Sequence, residues 1–176
     1  MAVLVYTENW DGKFKKLSFE LVSYATGVAK MLNTTVTAVS IGKVDENELK
    51  KLGNYGANKI ISVNNDQLIA LDNQAYTSVI SEISQKENAT VIIISNNNTG
   101  KAIAPRLSVR LKAGVGSGVS KLPLNLNPFT VYKKTYSVNA FAHVVIKSDV
   151  KILTLAQNSF DLIETANNAT IENVNV

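Results

Sequence analysis

TVIIISNNNTGKAIAPRLSVRL, residues 90–111, decides how the rest of the chain is read. The run Thr90, Val91, Ile92, Ile93, Ile94 is β-branched throughout and suits a strand buried on both faces. It ends in an Asn-rich turn that leads through Gly100 into an amphipathic helix. A strand, a loop and a helix start in this order place the loop at the carboxyl edge of an open parallel sheet, where α/β proteins collect ligands. Pro105 has no N–H and suits the first helical turn, so the spacing predicts a helix starting near Lys101, with free N–H groups around residues 101–104. Gly100 and Lys101 could then face a phosphate. Neither GxxxxGK[ST] nor GxGxxG is present, so the local pattern favours an ordinary loop with Thr99 as its cap. Arg106 and Arg110 lie four apart on one helix face and are the only arginines, the other basic side chains being lysines. Their planar, forked donors suit contacts to carboxylates or phosphates, which makes them candidate partner contacts, with a solvated pair as the alternative.

Working outward, strands and helices alternate. Residues 2–6 (AVLVY), 35–41 (TVTAVSI), 59–63 (KIISV) and 91–94 read as strands. Helical spacing runs over residues 17–32, with Ser18 as a plausible cap, over 46–52 and over 72–85. The alternation predicts right-handed crossovers and a mainly parallel sheet with helices on both faces. After residue 112 the pattern changes. Residues 115–122, 129–134, 137–146 and 150–155 are strand-like with short turns between them, and read as an antiparallel set appended to the sheet. Within 141–146, Phe141, His143 and Val145 alternate with Ala142, Val144 and Ile146, as in a strand with two different faces. Residues 1–163 form one expected domain, and the polar, Asn-rich residues 164–176 read as a linker stub.

Composition narrows the function classes. The chain has 176 residues, 45% hydrophobic and 18% charged, with a formal net charge of +4. That excludes disorder, and no Lys/Arg block of a nucleic-acid tail occurs. Cysteine is absent, so no disulfide, thiol nucleophile or Cys-held metal can form. The N-terminus lacks the basic and apolar regions of a secretory signal, and no apolar run is long enough to span a membrane, so a cytoplasmic protein is expected. His143, the single histidine, sits among apolar neighbours and reads as half-buried and structural. Asp11, Asp45, Glu46 and Glu48 fall in turns or helix starts, where they complement the helix dipole. No triad, acid/base pair or metal set is visible, so the chain alone is expected to be non-catalytic.

The stretches VLVYTENWDGKFKKLSFELVSYA, VTAVSIG, LGNYGANKIISVNND, TGKAIAPRLSVRL and FTVYKKTYSVNAFAHVVI, in this order, span nearly the whole chain. Together they resemble the N-terminal domain of electron transfer flavoprotein α subunits. The family stretch commonly reading Thr-Arg-Pro-x-Tyr-Ala-Gly-Asn has Lys133, Lys134 and Val138 in place of Arg, Pro and Gly, while Tyr136 and Asn139 are retained. Gly118 stands where an aspartate is frequent. The resemblance implies a scaffold domain that packs against a β subunit and supports a C-terminal domain, expected beyond Val176, that holds FAD. It implies that the complete protein takes electrons from dehydrogenases, notably acyl-CoA dehydrogenases of fatty acid β-oxidation, and passes them to a membrane quinone reductase. Lys133 and Tyr136 join Gly100, Lys101, Arg106 and Arg110 as candidate contacts, and no cofactor is expected on this chain alone. The AMP site of the family belongs to its β subunit. A fold-level similarity to universal stress proteins supplies the alternative, adenine-nucleotide binding at the Gly100 loop.

Overall fold

In chain order the elements are β1 (Ala2–Tyr6), β2 (Asn9–Trp10), β3 (Lys13–Phe14), α1 (Lys16–Met31), β4 (Thr35–Ile41), α2 (Glu46–Gly53), β5 (Lys59–Val63), α3 (Asn73–Lys86), β6 (Ala89–Ser95), α4 (Asn98–Leu111), β7 (Gly114–Val119), β8 (Asn125–Leu126), β9 (Phe129–Thr135), β10 (Ala140–Ile146), β11 (Lys151–Leu155) and β12 (Thr170–Val174). They come from a computed structural model that describes residues 2–68, 71–135, 139–165 and 167–174.

All five residues of β1 are buried, as an unbroken apolar run requires. β1 pairs in parallel with β4 and with β6. The main sheet runs β10-β9-β7-β11-β6-β1-β4-β5-β12, and every neighbouring pair from β7 to β12 is parallel. Successive side chains leave opposite faces. Val3 and Val5 pack with Leu21, Val22, Tyr24, Ala25 and Val28 of α1 and with Leu49 and Leu52 of α2. Leu4 and Tyr6 pack on the other side with Tyr76, Val79, Ile80 and Ile83 of α3 and with Ile103, Ala104 and Leu107 of α4. The result is a three-layer α/β sandwich. Each wholly buried isoleucine or leucine, such as Ile92 or Leu107, contributes roughly 1.5–3 kcal/mol over an exposed one.

The antiparallel set is narrower than the sequence suggests. It comprises β8, β9 and β10, with β9 meeting β7 at the Val119–Lys133 pair. Residues 115–122 and 150–155 contribute β7 and β11 instead, and these are parallel to each other. β11 inserts between β7 and β6, inside the sheet, so Ile152, Leu153 and Leu155 are fully buried. The short turn at 147–149 therefore joins two strands that are not neighbours.

Two helix starts differ from expectation. α4 begins at Asn98 rather than near Lys101, because the Asn97 side chain accepts the Gly100 N–H at 2.9 Å and caps the helix earlier. Thr99 is not the cap. Pro105 lies inside the helix with its ring exposed to solvent, and the only bond lost is the one to the Lys101 carbonyl. α1 begins at Lys16, so Ser18 lies inside its first turn and donates its hydroxyl to the Glu8 carbonyl at 2.6 Å.

The tail is also more ordered than a linker stub. Residues 170–174 form β12, paired along its length with β5. Of the expected strand at 137–146, residues 137 and 138 lie outside the described residues, as does Tyr136.

Candidate functional site

From β1 the chain moves outward to β4 and β5, then returns to β6 on the other flank of β1. The connections leaving β1 and β6 thus go to opposite faces, and a crevice opens beyond their carboxyl ends. The hairpin of β2 and β3 closes one side through a turn at Asp11 and Gly12, both in the left-handed region. A cleft of about 590 Å³ results, with Tyr6, Glu8, Trp10, Lys43, Tyr76 and Thr99 among its walls.

Glu8 organises the floor of this cleft. Its Oε1 accepts the Ser95 hydroxyl at 2.6 Å and the Asn97 side-chain amide at 2.9 Å, and its Oε2 accepts the same amide at 3.1 Å. Asn97 in turn caps α4 through Gly100. An anion of the chain itself thus complements the α4 N-terminus, where a bound phosphate would otherwise sit. Burial, and after it the charge of Glu8, push the Tyr6 and Tyr76 phenols upward, so both stay protonated at neutral pH. Gly100 has a packing reason to be glycine. A Cβ there would stand 1.7 Å from the Ser95 carbonyl oxygen. The close approach is between helix and strand.

The other sequence candidates lie elsewhere. Lys101, Arg106 and Arg110 are exposed on α4. Arg106 Nη1 donates to the Ala102 carbonyl at 2.6 Å, so this guanidinium folds back on its own helix. Arg106 and Arg110 flank Val109, which is 81% exposed, in a groove of about 610 Å³ shared with Gln74 and Thr77 of α3. Lys133 lies in β9 opposite Ala142, away from this groove. The structure therefore gathers Gly100, Lys101, Arg106 and Arg110 on one helix and leaves Lys133 on the antiparallel ribbon.

That ribbon carries the least expected surface. Val144 and Ile146 pack toward the core, while Phe141, His143 and Val145 face solvent. His143 is thus exposed rather than half-buried. Its ring lies 6.0 Å from that of Tyr132, which stacks on Phe141 at 5.2 Å. Lys121 Nζ sits 4.7 Å from the Tyr132 ring centre. An apolar, aromatic face with a lysine beside it results, on an edge strand whose outer side is unpaired among the described residues.

Two carboxylates escaped the sequence reading. Glu8, just after β1, holds the Ser95 and Asn97 side chains. Glu20, 1% exposed on α1, accepts the backbone N–H groups of Asn158, Ser159 and Phe160 and so holds the loop after β11. Among the described residues no three of His, Asp and Glu cluster as a metal site would need, and no helix is long and apolar enough to cross a membrane.

The family profile for the electron transfer flavoprotein domain matches residues 3–176. The chain belongs to this family. It is 25% identical to the electron transfer flavoprotein α subunit of Bacillus subtilis, covering 99% of this chain and 54% of that protein. It is 28% identical to the acryloyl-CoA reductase electron transfer subunit β of Anaerotignum propionicum, covering 77% of this chain and 37% of that one. It is 22% identical to the LctC subunit of the lactate dehydrogenase (NAD(+),ferredoxin) of Acetobacterium woodii, over 83% and 35% of the two chains. The chain thus spans about half or less of the length of these relatives. Gly118 has φ +68°, a region that glycine enters freely and aspartate more readily than most residues.

A flavin is implied by the family, and the carboxyl edge of this domain does not fit its diphosphate. Glu8 binds the Asn97 side chain that caps α4, Asp72 accepts the first free N–H groups of α3, and Glu46 and Glu48 occupy the first turn of α2. Each would oppose a second anion.

Proposed function

We propose that this chain is the scaffold domain of an electron transfer flavoprotein α subunit. In this reading it packs against a β subunit to form a heterodimer and supports a further domain that holds FAD, toward which residues 164–176 lead. The assembled cytoplasmic protein carries electrons from dehydrogenases, acyl-CoA dehydrogenases among them, to a quinone reductase of the respiratory chain. The domain itself supplies no reacting group.

The observation that carries the reading is the outward face of the ribbon. Phe141, Tyr132, His143 and Val145 form an aromatic patch on an unpaired edge strand, a surface that monomeric domains normally cover or charge. Lys121 and Lys134 beside it suit a partner with an acidic rim. The cationic outer face of α4, with Lys101, Arg106 and Arg110 and no acidic residue, is a second candidate contact. Adenine-nucleotide binding at the Gly100 loop is disfavoured, because Glu8 already occupies that helix end.

Size-exclusion chromatography with a family β subunit tests the reading. Co-elution as a one-to-one complex is expected, and separate elution would sink it. Calorimetry of the chain alone with FAD and ATP should give no micromolar binding; micromolar ATP binding would restore the nucleotide alternative.

A further inference from the structure

We propose that the cleft above β1, β4 and β6 binds a flat, uncharged, polar ring compound of nucleoside size and rejects its phosphorylated form. The volume, about 590 Å³, falls in the range of roughly 300–1,000 Å³ usual for small-molecule sites. Trp10 supplies aromatic surface for a planar ring in a cleft that Tyr6 and Tyr76 also line. The Tyr6 hydroxyl supplies a polar anchor. Tyr6 is only 3% exposed and lines the cleft, yet its hydroxyl has no hydrogen-bond partner among the described residues. The hydroxyl opens to the cleft, and a ligand carbonyl or ring nitrogen would accept from it.

Charge sets the selectivity. Glu8, Asp11 and Lys43 face the cleft, and Lys15 covers the Trp10 ring at 4.5 Å. Glu8 is pinned to Ser95 and Asn97 beside the α4 N-terminus, so the end of the cleft nearest that helix already holds a carboxylate. A ring with hydroxyl or amine donors can use the free acceptor capacity of Glu8 Oε2, and a phosphate ester meets repulsion.

Trp10 is the only tryptophan, so its fluorescence reports on the cleft directly. The probes are adenosine, uridine and AMP, titrated into the full protein. At least one of the two nucleosides should saturate the signal, with AMP at least about tenfold weaker than that nucleoside. Tyr6→Phe keeps the ring and should weaken nucleoside binding about threefold or more. Glu8→Gln should bring AMP to within about twofold of the nucleoside. Failure of both nucleosides to saturate at millimolar concentration would overturn the proposal, as would AMP binding as tightly as the nucleosides to the unaltered protein. Nucleoside binding unchanged by Tyr6→Phe, in a variant with unaltered circular dichroism, would overturn the assigned anchor.

Discussion

At one edge of the sheet, Glu172 of β12 binds Lys59 at 2.7 Å and Lys86 at 3.1 Å, and Lys59 also binds Glu87 at 2.8 Å. At the other edge, β10 turns Phe141, His143 and Val145 to solvent. An open edge is a template for pairing with another chain. Charge closes the β12 edge in the way that soluble proteins commonly protect theirs, with four ionic side chains tying the strand to β5 and α3. The β10 edge has aromatic stacking where that protection would be. One sheet thus carries an edge tied by charge and an edge faced with aromatic groups, and the second is the proposed docking edge.

The comparison can be broken most decisively at β10. Replacing Phe141 and Val145 together with Asp should weaken association with a β subunit about a hundredfold or more in calorimetry, since both side chains sit at the centre of the proposed contact. Thermal unfolding of the isolated chain should hardly change, because Phe141 is 61% exposed and Val145 46%. A large fall in Tm with unaltered association would reverse the roles of the two edges. The edge tied by charge should respond the other way. Lys59→Met leaves Glu87 and Glu172 near each other with less compensation and should cost roughly 1 kcal/mol in urea unfolding. Its effect on β-subunit affinity should be nil. On α4, Arg106→Glu should weaken association about threefold to tenfold, less than the ribbon variant, as expected of a peripheral charge. No change there would remove α4 from the interface.

Acid should sharpen the difference further. The hydrogen bond from Lys59, then that from Lys86, holds the Glu172 carboxyl below its usual range. A lowered folded pKa contributes stability that is present above the unfolded value and lost as pH falls through the folded one. Hydrogen bonds that Lys59 donates to Glu172 and Glu87 raise its pKa, and this contribution is complete below its unfolded value and is lost only in strong alkali. β12 should therefore loosen below about pH 4 and above about pH 10. Hydrogen exchange at residues 170–174, corrected for the intrinsic rate and referenced to β1, reads this out. Exchange at 140–146 should show no matching acid transition.

The sequence announces its buried parallel strands most clearly. β1, β4 and β5 have the limits read from their β-branched and apolar runs, bounded by turn residues. The start of α4 was masked by Pro105, which the helix tolerates because the ring points to water. The placement of β11 was masked by the short turn before it, which looks like a hairpin while β10 and β11 are separated by β9 and β7. Alternation in β10 revealed two faces without telling which one meets the core, since both carry large apolar groups. Glu8 was the least legible. A lone acid after a strand reads as a turn, and its partners Ser95 and Asn97 lie 87 and 89 residues away. Only the folded sheet brings them together. Gly100 attracted attention as a candidate contact, and the tight approach of the Ser95 carbonyl to it was not visible in the sequence.

The central claim is that the β10 edge is the docking edge. Hydrogen–deuterium exchange of the chain with and without a β subunit tests it most directly. The account predicts slowed exchange across residues 129–135 and 140–146 in the complex, with residues 59–63 and 170–174 unchanged. Protection confined to the β12 edge, or absent from the ribbon in a complex that has formed, would contradict it.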